Sequence, residues 1–124
     1  MLLRSELTEK VIGLAIKLHR RVGPGLLESV YERCLCFEFQ QAGIEFLRQV
    51  DVPIVYEGVS LEAGFRADII VAHELILEIK AVDKLLPVHE AQLLTYLRMS
   101  EYRIGLLLNF NALRLKDGIR RFVM

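Results

Sequence analysis

Residues 65–80 read FRADIIVAHELILEIK, and the fold turns on this stretch. Two apolar runs, Phe65–Val71 and Leu75–Val82, flank a turn near His73-Glu74. Runs this continuous mark strands covered on both faces. Asp68, Glu78 and Lys80 interrupt them. An unpaired buried charge costs several kcal/mol, so these groups need partners. Glu78 and Lys80 are two apart and project from one strand face, while Leu77 and Ile79 project from the other. Asp68 and Glu78 meet only if the connecting loop is odd, such as Ala72-His73-Glu74. A two-residue loop at His73-Glu74 pairs Asp68 with Ile79 instead. The odd loop, or a bulge of the same effect, is expected, with Arg66 then opposite Lys80.

Upstream, Leu7, Val11, Leu14, Ala15, Leu18 and Val22 recur at helical spacing over Ser5–Val22, before Gly23-Pro24-Gly25. A second helix is expected over Leu26–Ala42, stopped by Gly43. Leu27, Val30, Cys34 and Phe37 form one apolar stripe, and Tyr31, Leu35 and Phe39 another. That leaves Ser29, Glu32, Arg33 and Gln40 as a solvent face. Glu28 lies in line with the second stripe, so it points inward or toward a cleft. Ile44–Tyr56 reads as extended with a break at Pro53, Glu57-Gly58 as a turn, and Val59–Leu61 as a short separate strand. Downstream come a helix over Val88–Met99 entered through Pro87, a buried strand over Ile104–Phe110, and a last strand or edge hairpin within Leu113–Val123. This order fits an α/β fold, a mixed sheet packed by helices on both sides.

The chain has 124 residues, the length of one ordinary domain. Its 53% hydrophobic content excludes disorder. Sixteen basic and sixteen acidic side chains cancel, so overall charge does not advertise nucleic-acid binding. No apolar run approaches a membrane span and none resembles a signal peptide, so a cytoplasmic protein away from membranes is expected. Cys34 and Cys36 face opposite sides of a helix and are expected to be reduced packing thiols. His19, His73 and His89 have no zinc-ligand spacing.

Two neighbouring carboxylates repel unless a positive group sits between them. A hard divalent ion such as Mg²⁺ takes oxygen ligands, and a nearby lysine can orient or help deprotonate an attacking water. A salt-bridge cluster of Asp68, Glu78, Lys80 and Arg66 without metal satisfies the same spacing.

Asp68, nine intervening residues and then Glu78-Ile79-Lys80 resemble the PD-(D/E)XK nuclease signature, with Ala67 where that name has proline. Gly25-Leu26-Leu27-Glu28-Ser29-Val30-Tyr31 resembles the motif of the GxxExxY family, small proteins of that superfamily. Gln92 and Tyr96, four apart on one helix face, resemble the Q-x-x-x-Y motif of the RecB-type exonuclease branch. The likeness runs through Gly23–Glu32, Arg66–Leu94 and Leu106–Arg121.

The resemblance implies one restriction-endonuclease-like domain over residues 1–124, with a central mixed β-sheet flanked by helices. It implies a nuclease that hydrolyses phosphodiester bonds of DNA or RNA with Mg²⁺ or Mn²⁺. Asp68 and Glu78 would ligate the metal, joined by the carbonyl of Ile79. Glu28 would ligate through water or hold a second metal. Lys80 would be the catalytic lysine, and Gln92 and Tyr96 would complete the cleft. His89 shares their face and ranks behind them. Tyr31 and His19 are expected to pack rather than react. A nuclease-like fold serving as a non-catalytic module for nucleic acid or a protein partner is the alternative. Arg114, Lys116, Arg120 and Arg121, extended by Arg20, Arg21, Arg98 and Arg103, would form a track for a phosphate backbone. A homodimer through the first helix or the C-terminal edge strand is compatible with the pattern.

Overall fold

The structure, a computed structural model, describes residues 2–124. Helix α1 (Leu2–Val22) and helix α2 (Glu28–Gln41) precede strands β1 (Phe46–Tyr56), β2 (Val59–Val71) and β3 (Leu75–Lys80). Helix α3 (Pro87–Met99), strand β4 (Ile104–Asn109), a 3-10 turn (Leu115–Gly118) and strand β5 (Ile119–Val123) follow. The strands form one five-stranded sheet in the order β1-β2-β3-β4-β5. Strands β3 and β4 run parallel, joined by α3 as the crossover, and the other neighbours are antiparallel.

Val11, Ala15 and Leu18 of α1 and Tyr31, Leu35 and Phe39 of α2 cover one sheet face, packing on Leu75, Leu77 and Ile79. Leu93 and Leu97 of α3 cover the other, packing on Ile70, Ile76 and Leu107. The sheet is therefore buried on both sides, as the unbroken apolar runs require.

Two expectations are corrected. Val59–Leu61 and Phe65–Val71 belong to one strand. Gly64 carries it through, because a Cβ there would lie 2.5 Å from Ile54, where the β1–β2 register shifts. The stripe Leu27–Phe37 is largely solvent-facing, since Leu27 and Phe37 are exposed, whereas Glu32 is buried. The C-terminal segment does form a last strand, β5, entered through the 3-10 turn Leu115–Gly118. Gly118 lies at that turn, where an added Cβ would stand 2.6 Å from the Asn109 carbonyl oxygen. Gly118→Ala is expected to cost about 1–3 kcal/mol, because backbone must move to admit the methyl. Thermal melting checks this.

Candidate active site

Strands β2 and β3 are joined by the three-residue loop Ala72-His73-Glu74, with Val71 opposite Leu75 and Ile69 opposite Leu77. Asp68 and Glu78 are the next pair in that register, but here the ladder opens. The Asp68 N–H donates to Glu78 Oε2 at 3.0 Å, and the Ile79 N–H donates to Asp68 Oδ2 at 2.8 Å. Each carboxylate thus replaces a ladder carbonyl, and the two hold each other in place. In an extended strand the N–H and C=O of one residue leave on the same side. The Ile79 carbonyl therefore also points toward β2 and the two carboxylates.

The neighbouring ladder opens at the same residue. Arg48 pairs with Ile69 and Val50 with Ala67, leaving Gln49 opposite Asp68 with a left-handed backbone, φ 49°. The strand faces exchange there. Ile69 packs under α1 and α2, whereas Ala67 and Val52 pack under α3. The Arg66 side chain pairs with Asp51 on β1, at the exposed surface.

Burial pushes the Glu78 carboxyl up to about 8, and the Asp68 charge adds to the rise. The Asp68 N–H bond and the Lys80 charge oppose it, and Glu28 adds a smaller rise. These mutual effects place Glu28, Asp68, Glu78 and Lys80 in one electrostatic neighbourhood. Lys80 shares the Glu78 strand face, and among the described residues it has no ion pair within 4.0 Å. A closed salt-bridge cluster is therefore absent among these groups.

Glu28 is the first residue of α2, and its Oε2 accepts from the Ala81 N–H at 3.3 Å. Tyr96 of α3 stacks on Phe65, ring centroids 3.8 Å apart. Burial raises its hydroxyl pKa, and the Glu78 and Asp68 charges raise it further, so the hydroxyl feels the acidic pair. Gln92 lies one turn earlier and is exposed.

Other candidates have structural partners. Tyr31 is fully buried, stacks on Phe110 at 4.6 Å, and donates from its hydroxyl to the Gly23 carbonyl at 2.6 Å. It also accepts from the Leu26 N–H, so it fixes the loop leading to Glu28. Tyr31→Phe is expected to cost about 1 kcal/mol and loosen that loop, readable by hydrogen exchange at residues 23–27. His19 Nε2 lies 3.1 Å and 2.9 Å from the Phe110 and Ala112 carbonyls, so it carries the proton and donates. His89 Nδ1 accepts the Leu86 N–H and caps α3. The Cys36 thiol is pushed up to about 12 by burial and is inert.

Sequence reading missed Glu32, Gln49 and Asn109. Buried Glu32 is gripped by Arg48 at 2.9 Å and Gln49 at 2.8 Å. Asn109, opposite Lys80, bonds both the N–H and the carbonyl of Val82, and so acts as one more strand residue beyond β3. No spacing rule exposes such pairs, because each partner lies on a different element.

The basic track is broken. Arg120 pairs with Glu90, Arg121 with Glu9 and Arg114 with Asp117. Arg103 precedes β4, at the end of that strand away from Asn109. Arg20, Arg114 and Lys116 do share one cleft of about 490 Å³.

The donor set suits a hard divalent cation. It offers two carboxylates and a backbone carbonyl, all oxygen. Glu78 Oε1 has no partner among the described residues, and no described side-chain oxygen is both sealed from solvent and unpartnered, so Oε1 is reached by solvent. Among the described residues no three Asp, Glu, His or Cys side chains stand close enough to hold an ion by themselves. Waters or substrate oxygens must complete any coordination sphere, as hard cations of this size commonly require.

No curated protein and no solved structure matches the chain. A family model does, over residues 5–122, so it spans the helix that carries Glu28, both carboxylate strands and α3. It describes the PD-(D/E)XK nuclease superfamily, whose fold accounts for the mixed sheet, and the chain belongs to that superfamily.

Proposed function

We propose that the chain is a divalent-metal-dependent nuclease of the GxxExxY group, hydrolysing phosphodiester bonds of DNA or RNA. One observation carries this reading. Asp68 and Glu78 interlock through backbone amides where the ladder opens, and burial leaves the Glu78 charge in want of a cation. A merely structural pair would not need both carboxylates kept at an open gap.

Asp68, Glu78 and the Ile79 carbonyl would hold Mg²⁺ or Mn²⁺, with Glu28 binding through water. When bound, the ion supplies positive charge to the phosphate oxygens and acidifies a water. Lys80 donates from Nζ to the attacking water or a non-bridging phosphate oxygen as negative charge develops. The Tyr96 hydroxyl, held by stacking on Phe65, and the exposed Gln92 carboxamide line the phosphate's approach. No described helix is long and apolar enough to cross a membrane.

Labelled single- and double-stranded DNA and RNA, incubated with Mg²⁺, Mn²⁺ or EDTA, test this function. Metal-dependent cleavage of at least one substrate is expected. Lys80→Ala should reduce it about a hundredfold or more while binding of Mn²⁺ persists. Wild-type protein that binds nucleic acid yet cuts none would favour the module reading.

A further inference from the structure

Gln49 is not part of any motif that suggested the site, yet it is the residue opposite Asp68 where both ladders open. Its Nε2 donates to Glu32 Oε1 at 2.8 Å and approaches Asp68 Oδ1 at 3.4 Å. Glu32 lies one turn after Glu28 on α2, is buried, and is itself fixed by Arg48. A chain of side chains thus runs from Arg48 through Glu32 and Gln49 to Asp68. Its members come from α2, β1 and β2.

The backbone at Gln49 is unusual for its residue type. A φ of 49° is left-handed, a region that favours glycine. The same kink exchanges the faces of β1, so that Arg48 stays on the α2 side while Val50 turns under α3. A glycine would make this turn with less strain. A glycine has no amide to span Glu32 and Asp68. Strained residues of this kind persist where the side chain has work to do.

We propose that Gln49 is a positioning residue. Held by Glu32, its amide fixes Asp68 so that the oxygen not bonded to Ile79 is aimed for a divalent cation. This rests on the proposed function and extends it to the support of the ligand. Outer partners of metal ligands commonly change affinity by about tenfold to a hundredfold.

The test is Gln49→Gly, followed by Mn²⁺ titration, thermal melting and the nucleic-acid cleavage rate. The substitution relieves the left-handed backbone but takes a donor from buried Glu32, so the two effects oppose each other and the melting temperature should change little. Mn²⁺ affinity should nevertheless fall about tenfold or more, and kcat should fall with little change in KM. Gln49→Asn tolerates the backbone but is one methylene short, and should fall with the glycine variant. Metal affinity lost at nearly constant stability is what a merely structural role would not produce. Either variant binding Mn²⁺ as tightly as wild type would overturn the proposal. Wild-type protein that binds no Mn²⁺ would instead remove the metal-dependent reading beneath it.

Discussion

Glu78→Gln should abolish metal-dependent cleavage, by at least about a thousandfold, or roughly 4 kcal/mol of transition-state stabilisation. The amide keeps the shape of the carboxylate and can still accept from the Asp68 N–H, the bond that Glu78 Oε2 now makes. What it removes is the charge that a cation needs. The same substitution has a second signature in metal-free protein. Burial holds the folded Glu78 carboxyl near 8, against an ordinary value of 4.5. From about pH 4.5 to 8 the folded chain therefore retains a proton that the unfolded chain has lost. Wild-type stability is highest below that window from this group, and declines as pH rises through it. The glutamine variant should lack this decline and melt higher than wild type at pH 8–9, at the top of the window set by the same carboxyl. Denaturant melts from pH 5 to 9 in EDTA read the difference directly. Saturating Mg²⁺ should flatten the wild-type profile, because ligation replaces the proton. A parallel pH profile for the two proteins would show that Glu78 is already ionised without metal.

Phe110→Ala should be the most destabilising single truncation near the site, at about 3–5 kcal/mol. Phe110 is fully buried in the cluster beneath α1 and α2, and its ring stacks on Tyr31. Its backbone N–H donates to the Lys80 carbonyl, and its own carbonyl accepts from His19. The truncation leaves a cavity where α1, α2 and the end of β4 converge. For a protein of this length the melting temperature should fall by about 10 °C or more. Phe110→Leu should recover most of that loss, since it refills much of the volume. Urea unfolding of the two variants separates cavity cost from any effect on the Lys80 carbonyl contact.

Much of this was readable in the chain. The apolar runs around Asp68 and Glu78 indicated a sheet covered on both sides. Parity alone required an odd loop for the carboxylates to meet, and Ala72-His73-Glu74 is that loop. Glycines and prolines marked the ends of α1 and the start of α3. The split between Val59–Leu61 and Phe65–Val71 was not real: the strand is continuous, and Gly64 within it lets Ile54 approach closely. Glu32 misled because helical periodicity registers polarity and not partners. Arg48 and Gln49, on the strand after the helix, make its burial tolerable. The basic residues near the C-terminus looked like a track because sequence cannot show that Glu9 and Glu90 lie beside Arg121 and Arg120. Asp68, Glu78 and Lys80 were legible because charges in buried strands are costly. Gln49 was not, because an uncharged residue in a half-exposed strand costs nothing that a pattern can register.

The most direct measurement is a Mn²⁺ titration followed by the electron paramagnetic resonance of the free ion, on wild type, Asp68→Asn and Glu78→Gln. If the interlocked carboxylates form a divalent-cation site, wild-type protein takes up Mn²⁺ stoichiometrically, Mg²⁺ displaces it, and both variants leave the ion free. Wild-type protein that leaves millimolar Mn²⁺ free, or variants that bind it equally well, would contradict the account.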